Sequence, residues 1–142
     1  KVDIELELAV QAACRHGIRQ GWIQSAHDCA EGGLAIALSE SCISAAKGAK
    51  ITLTLGDLRL DTLLFGEGGA RILVSVPEEY QFEWEAYCQE NLAECYLIGT
   101  VGDAQQDLEI TLDRAEQALV SVPVADLEDR WGNAIANALN PD

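Results

Sequence analysis

Methionine is absent from the 142 residues and cations are scarce: 9 lysines and arginines face 24 acidic residues, a formal charge of −15. A basic patch is the usual footprint of nucleic-acid or anionic-membrane binding, so this balance argues against both. It also makes a phosphate ligand awkward unless helix termini, a metal ion or another domain supply positive charge. No apolar run approaches the ~20 residues needed to span a bilayer, and no signal peptide opens the chain. The five cysteines, Cys14, Cys29, Cys42, Cys88 and Cys95, include no C-x-x-C pair and are odd in number. They read as reduced, mostly buried thiols of a cytoplasmic protein, not as a disulfide framework. Internal repeats, low-complexity tracts and linkers are also missing. Because the chain starts at Lys1, lacks methionine and enters almost directly into a helix, it reads as a piece of a longer polypeptide.

What is present is a globular composition, 49% hydrophobic, and length enough for one domain over residues 1–142 with its own core. Asp3 is suited to cap a first helix with Glu5 and Glu7 in its opening turn. Leu6, Val10, Ala13 and Cys14 follow at helical spacing, and Arg15, His16 and Arg19 precede Gly21. His16 fits a solvated cation at a helix end. Strands are expected at Trp22–Ala26, Ile51–Leu55, Arg71–Val76, Cys95–Gly99, Leu108–Leu112 and Leu119–Val122, the last two as a hairpin with a longer loop. Helices are expected from Gly33 to about Ala46, over Leu60–Phe65, and after Pro77, where Phe82, Trp84, Tyr87 and Cys88 supply the apolar content. A closing amphipathic helix runs from Val124 to Asn140, with Leu127, Trp131, Ile135 and Leu139 on one face. The order of elements gives an α+β fold, helices packed on a mixed, largely antiparallel sheet.

The chemistry concentrates in two glycine-flanked corners. In SAHDCAEGGLAIALSESC, His27, Asp28 and Glu31 cluster where a strand gives way to a helix. Gly32 and Gly33 there allow a positive φ or a close backbone approach. A helix start can hold a phosphate, or simply be capped by Asp28 or Glu31, and both readings stay open. Two carboxylates and an imidazole suit Mg²⁺ only partly, since Mg²⁺ favours oxygen ligands and keeps several waters. His27 equally fits a structural role, its ring bonded to a backbone carbonyl or to Asp28. Cys29 lies beside the helix start but lacks a convincing base, so small-residue packing is its better role. Cys14, Cys42, Cys88 and Cys95 fit core filling. In the second corner, LFGEGGAR, Glu67 is presented from a flexible loop, with Arg71 placed for a salt bridge.

Together, HDCAEGGLAIALSE and LFGEGGARILVSV resemble the C-terminal domain of the AIR synthetase-related superfamily of ATP-dependent enzymes. Within it they are most similar to the phosphoribosylformylglycinamidine (FGAM) synthase family, in the last domain of its synthetase subunit. The resemblance covers essentially the whole chain. It implies a part in converting formylglycinamide ribonucleotide (FGAR), ATP and glutamine to FGAM in purine biosynthesis, with ATP and Mg²⁺ as cofactors. The implied partners are the remaining domains of the same subunit, a glutaminase subunit, a small accessory subunit and FGAR. His27, Asp28, Glu31, Gly32 and Gly33 match the family's His-Asp-x-Ser-Asp/Glu-Gly-Gly motif, which faces an interdomain cleft and contacts nucleotide, and Glu67 belongs to the same wall. The aspartate matching Asp28 helps hold Mg²⁺ in related enzymes. Ala30 stands where the family has a serine that contacts the nucleotide. The resemblance assigns no catalytic residue here and implies an isolated chain without activity. Another superfamily enzyme (a small-molecule kinase, selenophosphate synthetase or HypE-like protein) and a non-catalytic interaction module are the alternatives.

Overall fold

The computed structural model describes residues 3–139. Their element order is α1 (Ile4–Gln20), β1 (Ser25–Asp28), α2 (Gly33–Ala45), β2 (Ala49–Leu53), α3 (Leu60–Phe65), β3 (Ile72–Ser75), a 3-10 turn (Glu78–Tyr80), α4 (Gln81–Glu90), β4 (Gly99–Val101), β5 (Leu108–Leu112), β6 (Val120–Val122), α5 (Val124–Gly132) and α6 (Ala134–Leu139). Helices accompany mixed sheets, as the sequence pattern suggests, but the strands form two sheets. One pairs β1 with β3; the other has the order β4-β2-β5-β6. Only β2 and β5 run parallel among these pairings.

The chain divides into two compact units, each assembled from two stretches: Lys1–Ala37 with Asp61–Leu97, and Leu38–Leu60 with Ile98–Asp142. In the first unit α1 begins where Asp3 Oδ1 accepts the Leu6 N–H at 3.1 Å. It ends at Gly21, whose φ of 75° lets its N–H reach back to Gly17 and Ile18. Such caps satisfy main-chain groups that the helix itself leaves unpaired. Ala13, Trp84, Cys88 and Ala93 form the core, surrounded by Ala9, Trp22, Ile23, Val74, Val76 and Tyr87. Gly17 permits this packing, since a Cβ there would stand 2.7 Å from Ile23 Cδ1 and 2.8 Å from Trp84 Cζ3.

In the second unit, β2 alternates inward and outward, burying Ala49, Ile51 and Leu53. Ile51 lies opposite Ile110 in the parallel register, and Leu108 and Ile110 are each 1% exposed.

Several expected boundaries move because partners decide them. Trp22 and Ile23 do not begin a strand: both N–H groups bond back to the Gly17 carbonyl, and β1 starts at Ser25, opposite Ser75. β2 starts at Ala49 because Val101 and Leu108 pair with it there. Residues 95–98 are not strand, and β4 begins at Gly99. Ala46, with φ 51°, takes the left-handed position that ends α2, ahead of Lys47-Gly48. The closing helix breaks into two at Asn133, whose side chain bonds Asp129 Oδ1 at 2.6 Å. Gly132 and Asn133 are both weak helix formers. Trp131, Ile135 and Leu139 stand exposed; Asn140, the expected end of that helix, and Lys1 lie outside the described residues. Phe82 is exposed, while Trp84 and Cys88 fill the core. His16 is half-buried and stacks on Tyr87, with ring centroids 3.9 Å apart and planes 2° from parallel. Trp22 closes on both rings edge-on, so His16 is a packing element and does not stand in solvent at the helix end.

Candidate functional site

The two glycine-flanked corners meet. β1 and β3 pair antiparallel, with His27 opposite Leu73 and Asp28 opposite Ile72, so the loops at that end of the pair are neighbours. Across them Gly32 donates its backbone N–H to Glu67 Oε1 at 3.0 Å, joining residues 35 apart in sequence. Gly32 and Gly33 have φ of 74° and 70°, the left-handed region that side chains oppose. A Cβ on Gly33 would lie 2.7 Å from the Phe65 carbonyl carbon and 2.9 Å from Leu64 O. The start of α2 therefore sits against the end of α3 with no room for a side chain.

His27 and Asp28 occupy the strand itself, one step earlier than a turn position. The His27 Nδ1 lies 2.6 Å from the Asp28 carbonyl oxygen and 3.7 Å from Asp28 Oδ1. The His27 side chain is 34% exposed and that of Asp28 73%. Glu31 and Glu67 are also exposed, whereas Gly33 is buried. The corner thus offers three solvent-facing carboxylates beside a half-covered imidazole.

Arg71 does not pair with Glu67. Its Nη2 donates to the Gly66 carbonyl at 2.6 Å, and its buried Nε has no partner among the described residues. The guanidinium braces the loop main chain, leaving the Glu67 carboxylate for Gly32. Cys29 is 2% exposed, and its N–H bonds the Arg71 carbonyl at 3.2 Å. Burial pushes its thiol up from the ordinary value, with Arg71 opposing in part. A buried thiol held protonated is packing, not a nucleophile. Ala30 is exposed and contributes no hydroxyl.

One neighbour had no signal in the sequence. Glu7 of α1 places Oε2 3.0 Å from where a Gly69 Cβ would stand, while its Oε1 accepts from Gln11. An acidic residue in a first helical turn is ordinary, so nothing in the local pattern pointed to the loop 62 positions later.

No group of three or more His, Cys, Asp or Glu side chains is placed to hold a metal ion among the described residues. Mg²⁺ is commonly held by one or two carboxylates together with phosphate oxygens and water. The exposed Asp28 carboxylate therefore fits one ligand of such a site, not a complete protein cage. Burial also raises the thiols of Cys14 and Cys42. Cys95, expected in the core, is an exposed residue. No helix among the described residues is long and apolar enough to cross a membrane.

Comparison with known proteins gives this geometry a context. Residues 1–111 match the family model described as AIR synthase related protein, C-terminal domain. The chain is 51% identical over 142 residues to phosphoribosylformylglycinamidine synthase subunit PurL of Cyanothece sp., covering 99% of this chain and 18% of that protein. It is 49% identical over 139 residues to the same subunit of Synechocystis sp., covering 98% of this chain and 18% of that one. The chain thus spans about a fifth of the length of these relatives. Among solved structures, T. maritima PurL complexed with FGAR superposes with a TM-score of 0.75 at 19% identity, over 85% of this chain and 20% of that one. The PurLQS structure from Thermotoga maritima gives 0.76 at 19% identity, over 89% and 22%. The helix-and-mixed-sheet architecture is that of these structures, and the chain belongs to the family of AIR synthase related protein C-terminal domains.

Proposed function

We propose that this chain is the terminal domain of a phosphoribosylformylglycinamidine synthase subunit, serving the ATP-dependent amidation of FGAR to FGAM in the cytoplasm. The supporting observation is the Gly32 N–H to Glu67 bond, which unites both family motifs in one solvent-facing corner. The high identity to named synthase subunits supports the same reading. A neutral amide oxygen is a poor leaving group; phosphoryl transfer from Mg-ATP makes it a good one, and glutamine-derived ammonia then displaces phosphate.

In this reading the chain supplies one wall of a binding cleft and no catalytic residue. His27, Asp28, Glu31, Gly32, Gly33 and Glu67 form that wall, and Asp28 offers one carboxylate oxygen to Mg²⁺. Solved relatives are described as complexed with ATP, ADP and AMPPCP, which supports nucleotide binding by the complete subunit. With an excess of negative charge, this chain is poorly suited to hold phosphates alone. The other partners in this reading are the remaining domains of the subunit, the glutaminase and the small accessory subunit.

The test is a graft of this chain in place of the matched segment of the Cyanothece subunit. Ammonia-dependent FGAM formation is the readout. A soluble chimera that turns over supports the proposal, and Asp28→Asn within it should weaken nucleotide binding. A folded chimera that binds FGAR and ATP but makes no FGAM would overturn it.

A further inference from the structure

Arg71 is anchored at both ends, once in each glycine-flanked corner. Its main chain extends the β1–β3 ladder by one step: the carbonyl takes the Cys29 N–H at 3.2 Å, just beyond the Asp28–Ile72 pair. Its guanidinium turns back five residues, where Nη2 donates to the Gly66 carbonyl at 2.6 Å. Gly66 is where α3 stops. Its N–H closes on the Thr62 carbonyl at 3.0 Å, and its own carbonyl lies past the last helical residue, Phe65. Carbonyls at a helix C-terminus have no partner inside the helix, and an arginine is suited to supply one. The loop 66–70, which includes Ala70 at φ 57°, is therefore closed by the side chain of the residue that follows it. Glu67 comes immediately after the held carbonyl and accepts the Gly32 N–H at 3.0 Å.

We propose that Arg71 is a positioning residue of the binding wall, acting through Glu67 by holding the loop so that this carboxylate meets Gly32. The inference rests on reading the corner as a nucleotide-binding wall, and adds to that wall a residue that touches no ligand.

An unpaired atom of the same side chain shows that the loop, and not the core, sets its course. Arg71 Nε is buried with no hydrogen-bond partner among the described residues, and a buried donor without an acceptor is unfavourable. Methionine, linear and apolar, would remove that donor and the Gly66 bond together. The two losses oppose each other in global stability. They do not oppose each other in the loop, which simply loses its anchor. Lysine keeps one charged donor without the planar fork, so it restores the hold only in part.

The experiment compares Arg71→Met, Arg71→Lys, Glu67→Ala and the Arg71→Met/Glu67→Ala double variant, each first shown to be folded by circular dichroism. Arg71→Leu is the second deletion variant should Arg71→Met not fold. In the isolated chain, exchange of the Gly32 amide should quicken about 2- to 10-fold in Arg71→Met, the range for one lost hydrogen bond. Arg71→Lys should recover part of the protection. The double variant should exchange no faster than Glu67→Ala alone, since a residue acting through Glu67 then has nothing left to position. In the grafted Cyanothece subunit the same order should appear in KM for Mg-ATP with kcat little changed, the pattern of lost binding and not of lost chemistry. Wild-type Gly32 exchange in Arg71→Met, additive effects in the double variant, or a fall in kcat with KM intact overturns the proposal. A folded graft that makes no FGAM while the exchange order holds removes the assigned reaction and leaves the hold of Arg71 on Glu67 standing.

Discussion

Gly33→Ala isolates what the meeting of the two corners demands. Gly33 has φ 70°, and a Cβ there would sit 2.7 and 2.8 Å from Phe65 main-chain atoms and 2.9 Å from Leu64 O. A left-handed backbone costs an L-residue ~1–2 kcal/mol. Overpacking adds ~1–3 kcal/mol, and here it cannot be relieved by a rotamer change because the atoms struck are backbone. The sum is about 2–5 kcal/mol, released only if α2 and α3 separate and the Gly32–Glu67 bond lengthens. Gly21→Ala is the control: its φ is 75°, yet nothing lies within 4 Å of the added carbon. That variant should lose only the conformational part, ~1–2 kcal/mol. Urea unfolding followed by tryptophan fluorescence measures both, and exchange of the Gly32 amide reports the local consequence. If Gly33→Ala proves no more destabilising than Gly21→Ala, the close approach between α2 and α3 is not what requires glycine at residue 33.

Gly17→Ala should destabilise by ~1–3 kcal/mol by driving a methyl into Ile23 and the Trp84 ring, with altered near-ultraviolet dichroism of tryptophan as a second readout. Glu67→Ala should cost only ~0.5–1.5 kcal/mol, because water can replace the lost acceptor, but it should speed exchange of the Gly32 amide; Glu67→Gln should retain most of the protection. The raised thiols of Cys14, Cys29, Cys42, Cys88 and Cys95 mean that the folded chain holds these protons more tightly than the unfolded one. Their contribution is complete below the ordinary thiol value near 9 and is lost as pH rises through the raised values, about 12 for Cys88. Melting temperature should therefore fall as pH rises above about 9 under reducing conditions, and Cys88→Ala should flatten the decline.

The legible parts of the fold are those whose signals are local. Asp3 and Gly21 bound α1 in the structure as their chemistry implies, and Leu60–Phe65 is a helix to the residue. Strand ends were harder to read, because Ala49, Gly99 and Ser25 are strand residues only through their partners across the sheet. The candidate corner shows the same division. Its residue types stood out in the two motifs, but Glu67 bonding to Gly32, Arg71 turning to the Gly66 carbonyl and Glu7 approaching Gly69 are contacts over distances that periodicity does not encode. His16 misled for a related reason: a helix-end histidine among arginines has a cation's context, and only the fold brings Tyr87 against its ring.

The chain enters each compact unit twice, handing over after residues 37, 60 and 97. No single cut in the gene yields either unit free of residues of the other, and a nonsense codon anywhere before residue 61 leaves both without their second instalment. During synthesis the first unit must wait for residues through 97 to emerge, and the parallel β2–β5 ladder waits longer still. Dissecting such a chain therefore calls for permuted or split-and-rejoined versions; simple truncation after residue 97 would keep the first unit but leave residues 38–60 attached without the rest of theirs.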